Sequence, residues 1–382
     1  MKRPVVVDLF CGAGGESQGI DWAYQSSGVE IEMFAVNHWE TAVETHARNF
    51  PQYETLCKDI LDLDPLRVVP KRDVELLWAS PACTHFSVAR GGKPMDEQSR
   101  VTPFTVGDWL EKLNVKRFII ENVPEFEGWC PLGDDKRPVK ELKGSTFQAY
   151  IALIRSLGYD VDWRVLNAAD FGAPTTRKRL FIQGVKRGSG KRLVWPEATH
   201  SQTVYGGLFG DLKPWVPARE IIDWSLPTRL VDSRKRPLSD NTMRRIMQGV
   251  EKYWGEYARP FITRYNGGVN RNHSIDEPMP VLDTSNRYAI VEPLLMEYYG
   301  NGGCKPMSQP VGVVTTKERF ALLEPHQVGI GFRMLQPHEL AAAQSFPKGY
   351  KFMGTKSEVV KQIGNSVCPK IAESLVGAGL AK

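Results

Sequence analysis

A chain of 382 residues with 42% apolar content can bury a large core and divide into two or three domains. No run of about eighteen apolar residues occurs and Met1-Lys2-Arg3 leads straight into a strand pattern, so neither a membrane span nor a signal peptide is expected. The net charge of +5 is uneven: residues 1–185 carry 22 basic and 26 acidic side chains, 186–325 carry 20 and 15, and 326–382 carry 7 and 3, so the rear is basic enough to suit a polyanion.

In chain order, residues 5–9 read as the first strand and end in Asp8-Leu9-Phe10-Cys11-Gly12-Ala13-Gly14-Gly15, a glycine-rich turn that lets a cofactor approach the backbone. A dinucleotide fingerprint needs a third glycine where Ser17 stands, so a nucleoside-type cofactor is preferred to a pyrophosphate. A helix near 16–26 and a strand at 31–36 follow, then Asn37-His38-Trp39-Glu40, where Trp39 offers either a stacking face for a purine or core packing against the next helix, 39–49. The strand at 74–79 opens into Ser80-Pro81-Ala82-Cys83-Thr84, which puts a thiol where parallel sheets present their ligands. Helices near 105–113 and 145–157 and strands at 118–121, 162–166 and 180–185 complete a βαβ series, a doubly wound α/β domain with a mostly parallel sheet. Arg177 and Arg179 alternate just before the last of these strands and so share a face.

After Val185 the basic, flexible run Lys186-Arg187-Gly188-Ser189-Gly190-Lys191-Arg192 marks a boundary. Beyond it lies a repeat with an offset of 32 residues: Pro278-x-x-Val281-x-x-Thr284-x-x-Arg287 matches Pro310-x-x-Val313-x-x-Thr316-x-x-Arg319, which suggests paired β elements. Arg287 and Arg319 suit either a turn or a phosphate contact. Helix returns at 358–363, breaks at Gly364-Asn365-Ser366 and resumes over Pro369–Leu380, with Pro369 in the first turn. The six cysteines (Cys11, Cys57, Cys83, Cys130, Cys304, Cys368) are scattered without C-x-x-C spacing, which argues against a zinc site or a disulfide framework and for a reducing, cytoplasmic setting.

Five blocks in this order, the Asp8–Gly15 turn, Cys83 with Phe86-Ser87, Glu121-Asn122-Val123, Arg177-Lys178-Arg179 and Gly364-Asn365-Ser366-Val367, together resemble the DNA cytosine-5 methyltransferase family of bacterial or phage type. The resemblance implies a Rossmann-like S-adenosylmethionine-dependent methyltransferase domain over 1–187, completed by the helix at 356–382. It further implies a smaller, irregular, β-containing target-recognition domain over 188–327, with 328–355 as a connecting hinge. It implies that Cys83 attacks C6 of a flipped cytosine, that Glu121 protonates N3, and that Arg177 and Arg179 hold the base. Cofactor contacts by the same carry-over are Phe10, Gly12, Ala13, Gly14, His38, Trp39, Asp59, Ile60, Asn365, Ser366 and Val367. Double-stranded DNA is the implied partner of a monomer, with a cognate restriction endonuclease alongside.

Three positions depart from the family pattern. Ala82-Cys83-Thr84 replaces Pro-Cys-Gln, His38 stands where a ribose-binding glutamate is usual, leaving Glu40 or His38 for that task, and Thr175 replaces the glutamine ahead of the arginine pair. An RNA (tRNA) cytosine-5 methyltransferase of the same fold and a non-catalytic DNA-binding homologue are the alternative readings.

Overall fold

The run Val-Val-Val-Asp-Leu forms strand β1 (Val5–Leu9), buried along its whole length, as befits a central strand covered on both faces. The computed structural model describes residues 3–70, 73–81, 102–203, 212–231, 236–253, 260–264, 272–285, 287–297, 304–306, 320–321 and 329–381. Around β1 lie β2 (Glu32–Asn37), β3 (Glu54–Cys57), β4 (Asp73–Ala79), β5 (Asn114–Asn122), β6 (Tyr159–Asn167) and β7 (Lys178–Lys186) in the order β3-β2-β1-β4-β5-β7-β6. The first five are parallel, and β7 runs antiparallel to both its neighbours. Strand β3, absent from the expected set, is a four-residue outer strand, Glu54-Thr55-Leu56-Cys57, part-exposed throughout and without apolar alternation.

Alternation along the strands sends side chains to two cores. Val5, Val7, Leu77, Phe118 and Ile120 face α4 (Thr102–Lys112) and α5 (Ser145–Ser156), through Trp109, Phe147, Tyr150 and Ile154. Val6, Leu76, Trp78, Ile119 and Phe181 face α1 (Gly15–Ser26) and the C-terminal helix Pro369–Leu380. Arg117, buried on this second face, donates to the carbonyls of Leu375 (2.7 Å) and Val376 (3.4 Å) and to Gln183 Oε1 (2.8 Å), so the last helix is bonded to the sheet as well as packed on it. The α/β domain is therefore closed by the far end of the chain. The remaining helices of this half are α2 (Glu40–Asn49) and the single turn α3 (Pro65–Val68).

Beyond β7 lie the short parallel pair β8 (His200–Ser201) and β9 (Lys213–Pro214), then β10 (Arg229–Leu230), α6 (Asp240–Tyr253), β11 (Phe261–Arg264), β12 (Asn272–Ser274), β13 (Tyr288–Glu297), β14 (Cys304–Pro306), β15 (Phe320–Ala321) and β16 (Gly329–Met334). Apart from that pair they form a separate antiparallel sheet, β10-β16-β13-β11-β12, with β14 and β15 also on β13. The first repeat copy runs into β13, and Phe320–Ala321 of the second pairs back onto it, Met296 opposite Ala321. Arg287 lies 3.6 Å from Asp283, an ion pair within its own turn, whereas Arg319 is outside the described residues.

The segment 328–355 contains β16 and α7 (Pro337–Ala343), whose Leu340 and Ala343 are buried with Ile262, Tyr288 and Ile290. Arg333 on β16 grips the fully buried Glu339 of α7 through both guanidinium nitrogens at 2.8 Å. The last two helices are α8 (Lys356–Asn365), opened by a Thr355–Glu358 capping box, and α9 (Pro369–Leu380).

Candidate active site

Because β1, β2, β3, β4 and β5 are parallel, their carboxyl ends lie on one edge of the sheet, and the reversed β7 brings its amino end to the same edge beside β5. Glu121 opposes Phe181 in that antiparallel register, and Arg179, two residues earlier, projects from the same face as Phe181. Its guanidinium Nε stands 3.0 Å from Glu121 Oε1, with both side chains largely out of water. Burial pushes the Glu121 carboxyl above the ordinary carboxylate range, against the pull of Arg179 and Arg177. Arg177 is buried and donates to the Leu282 carbonyl at 3.2 Å, which ties the strand edge to the second half of the chain. Thr175 completes this seam: fully buried, it bridges to Met279 and donates to the Pro280 carbonyl at 3.3 Å.

Strand β4 ends beside β1, where the Ser80 N–H donates to the Leu9 carbonyl at 3.1 Å, and beside β5, where Asn122 Nδ2 donates to the Pro81 carbonyl at 3.3 Å. The chain leaving β4 is thus fixed from both sides up to Pro81. Cys83, with Ala82 and Thr84, lies outside the described residues, two positions beyond that fixed point.

On the other side of β1 the glycine turn departs with positive φ at Phe10 (64°), Gly12 (51°) and Gly14 (85°). Gly14 needs glycine twice over, for its φ and because a Cβ would stand 2.8–2.9 Å from Phe50, Tyr350 and His46. Next to it Gly15 packs on Ser366 and Val367, so the glycine turn and the segment after α8 are in direct contact. At Gly12 a Cβ would meet nothing nearer than the Phe10 carbonyl at 3.9 Å, leaving open space over the turn. Asn37 and Cys57 are paired at the ends of β2 and β3, which places His38-Trp39 alongside Lys58-Asp59-Ile60. One Asp59 carboxylate oxygen accepts from Leu61 N at 3.0 Å, Ile60 is buried, and His38 and Glu40 are exposed. The open turn, an indole and a carboxylate along one edge suit a nucleoside cofactor bearing a charged tail.

Three of the expected contacts are modified by their surroundings. The Ser366 hydroxyl is given to the Gln362 carbonyl (2.8 Å), Val367 is buried in the α1–α9 core, and Asn365 is exposed. Lys361 Nζ sits 4.5 Å from the centre of the Trp39 ring.

The sequence reading missed a buried layer beneath the turn. Ser17 donates to Asp8 and lies 2.9 Å from His46 Nε2, while His46 Nδ1 lies 2.8 Å from Thr55 Oγ1. With the Ser17 hydroxyl hydrogen directed at Asp8, His46 carries its ring hydrogen on Nε2 and accepts from Thr55 through Nδ1. Burial lowers the His46 pKa to about 3, so the ring is neutral, and raises that of Asp8 to about 7. Tyr350, from the segment read as a hinge, donates its hydroxyl to the Ala13 carbonyl. Its sequence signal is the aromatic spacing Phe346, Tyr350, Phe352, three rings that pack on one another.

The profile of the family described as C-5 cytosine-specific DNA methylase matches residues 5–378. The chain belongs to this family. Among curated relatives, the type II methyltransferase M.XorII of Xanthomonas oryzae pv. oryzae is 27% identical over 99% of this chain and 84% of its own length. The type II methyltransferase M1.HphI of Haemophilus parahaemolyticus is 29% identical over 98% and 86%. Among solved structures, a putative DNA modification methyltransferase encoded within an E. coli prophage superposes with a TM-score of 0.57 at 20% identity, covering 99% of this chain and 100% of that one. DNMT2 of Spodoptera frugiperda gives the same TM-score at 18% identity, with 99% of each chain covered. These two likenesses establish the fold. The protein is a DNA cytosine-5 methyltransferase, a family that takes its methyl group from S-adenosyl-L-methionine. Among the described residues no helix is long and apolar enough to cross a membrane.

Proposed function

We propose that this C5 methyltransferase modifies a cytosine swung out of duplex DNA, through a covalent bond between Cys83 and C6 of the base. The observation that carries the reading is the buried Glu121–Arg179 pair at the strand edge, beside the Ser80-Pro81 exit that leads to Cys83. Cytosine C5 is a poor nucleophile until the ring loses its aromaticity. Addition of the Cys83 thiolate to C6 achieves that, and a proton passed from Glu121 to N3 balances the charge. A buried carboxyl with a raised pKa is suited to hold that proton. Arg179 orients the Glu121 carboxyl, and Arg177, anchored on the Leu282 carbonyl, braces the same edge. S-adenosyl-L-methionine, when bound, supplies the electrophilic methyl group. Phe10, Gly12, Ala13 and Gly14 would hold its tail, Trp39, Asp59 and Ile60 its adenine, and Asn365, Ser366 and Val367 would close the methionine end, with His38 or Glu40 toward the ribose. After the methyl group is on C5, loss of the C5 proton to water expels the Cys83 thiolate and restores the ring.

Residues 1–187 with the C-terminal helices serve as the catalytic and cofactor half and 188–327 as the half that reads the DNA sequence, while of 328–355 the strand β16 completes the second sheet and the remainder leads back to α8. The enzyme acts as a monomer, and its likeness to type II methyltransferases suggests a cognate endonuclease. Labelled methyl transfer to duplex DNA, with tRNA as the competing substrate, tests the substrate. Transfer to DNA that is abolished by Cys83→Ala is expected, whereas preference for tRNA, or transfer by Cys83→Ala, overturns the reading.

A further inference from the structure

The segment 278–284, which opens the first copy of the 32-residue repeat, is a strap between the two halves of the chain. Its Met279 and Leu282 side chains are buried with Ile262, Tyr288 and Ile290 of the second sheet, while its backbone lies against the catalytic half. Met279 donates its N–H to the Pro174 carbonyl (2.8 Å) and accepts from Thr176 N (2.7 Å), which adds a parallel bridge to the chain entering β7. Three residues on, the Leu282 carbonyl accepts from Arg177 Nη1 at 3.2 Å. The next carbonyl, that of Asp283, lies so close to Gly364 that a Cβ there would stand 2.1 Å from it. Arg177 lies at the base edge, and Gly364 leads into Asn365-Ser366-Val367 at the methionine end, so one strap touches both sides of the proposed reaction.

Asp283 fixes the strap from the other side. Its Oδ2 lies 3.3 Å from Arg264 Nη2 on β11 and 3.6 Å from Arg287 Nε, while its Oδ1 accepts the Ser285 N–H at 3.1 Å. Only 17% of the Arg264 side chain and 25% of the Asp283 side chain are exposed, so this pair escapes much of the screening that weakens a surface pair. Arg264 also lies over the Tyr288 ring, 5.4 Å from its centre, and the Tyr288 hydroxyl donates to the Val281 carbonyl of the strap at 2.7 Å. The second sheet therefore grips the strap at Val281 and Asp283, on either side of the Leu282 carbonyl that Arg177 uses.

We propose that Asp283 is a positioning residue that, by fixing this strap, keeps Arg177 and the Gly364 end of the cofactor site in register. The proposal rests on Arg177 serving the flipped base. With its carboxylate engaged by Arg264, Arg287 and Ser285, Asp283 acts through the strap and not on a ligand. A slackened strap leaves base and cofactor bound but out of line, and a misplacement of about 1 Å costs about a hundredfold in rate.

The test compares Asp283→Ala, Asp283→Asn, Arg177→Ala and the double alanine variant in the full-length enzyme. It reads single-turnover methyl transfer at saturating duplex DNA and S-adenosylmethionine, DNA affinity by fluorescence anisotropy and cofactor affinity by calorimetry. Asp283→Ala should lose about tenfold to a hundredfold in rate, with both affinities within about threefold of the parent. Asp283→Asn, which can keep the Ser285 bond but not the charge, should fall between the two and serves where the alanine variant does not fold. In the Arg177→Ala background the loss from Asp283→Ala should shrink, because the two act along one path. A parent rate in both Asp283 variants, a fall in either affinity that matches the loss of rate, or an undiminished loss in the Arg177→Ala background overturns the proposal. Arg177→Ala at the parent rate defeats the underlying role of Arg177, whereas a slow Arg177→Ala beside a fully active Asp283→Ala defeats only the role of Asp283.

Discussion

Adding one methyl group at Gly15 perturbs the contact between the cofactor turn and the segment that closes it. A Cβ built there lies 2.2 Å from the Val367 carbonyl oxygen and 3.0 Å from Ser366 Cβ, so the first contact is about 1.2 Å inside ordinary van der Waals range. The obstacle is backbone, held by α9 behind it, and cannot turn aside as a side-chain tip would. Overpacking of this kind costs about 1–3 kcal/mol. If all of it falls on cofactor binding, S-adenosylmethionine affinity drops by about 5-fold to 150-fold, since 1.4 kcal/mol is tenfold. Gly19→Ala is the control. Its Cβ would strike the Pro369 carbonyl at 2.4 Å and Ala372 Cβ at 2.5 Å, one turn further along the same α1–α9 seam and away from the turn. Thermal unfolding and cofactor titration separate the two. Both variants should unfold at lower temperature, and Gly15→Ala should lose more affinity than Gly19→Ala. A Gly15→Ala enzyme with the parent's melting temperature and cofactor affinity would refute the reasoning.

Two further outcomes follow from the site. Arg179→Ala removes a cation that favours the ionised form of Glu121, so the carboxyl stays protonated to higher pH. If Glu121 is the acid, the alkaline limb of the single-turnover rate should move up in pH, and a downward move would exclude that role. Trp39→Ala should weaken S-adenosylmethionine by about 5-fold to 10-fold, the scale of one aromatic contact, with little change in single-turnover rate at saturating cofactor, as calorimetry and rapid-quench measurements would show. Unchanged affinity would instead make Trp39 a packing residue under Lys361.

The sequence revealed the first half of the fold well because buried parallel strands are continuous apolar runs. The expected strand at 5–9 coincides with β1, and the expected helices at 16–26, 39–49 and 145–157 lie within a residue of α1, α2 and α5. Strand β3 escaped because an outer strand buries little and needs no apolar pattern. Segment 328–355 read as a connector since β16 and α7 are short, and what fixes them, the Arg333–Glu339 pair and the ring cluster around Tyr350, is tertiary. Glu121 and Arg179 could be named from sequence, but their meeting depended on β7 running backwards, which no local pattern records.

The central claim is a covalent bond from Cys83 to the base. Incubating the enzyme with S-adenosylmethionine and a duplex containing 5-fluorocytosine at the methylated position, followed by digestion and mass spectrometry, tests it most directly. Fluorine at C5 cannot leave as a proton does, so the account predicts a stable adduct on the peptide containing Cys83 and none with Cys83→Ala. An adduct on another residue, or no adduct from an enzyme that methylates the unmodified duplex, would contradict it.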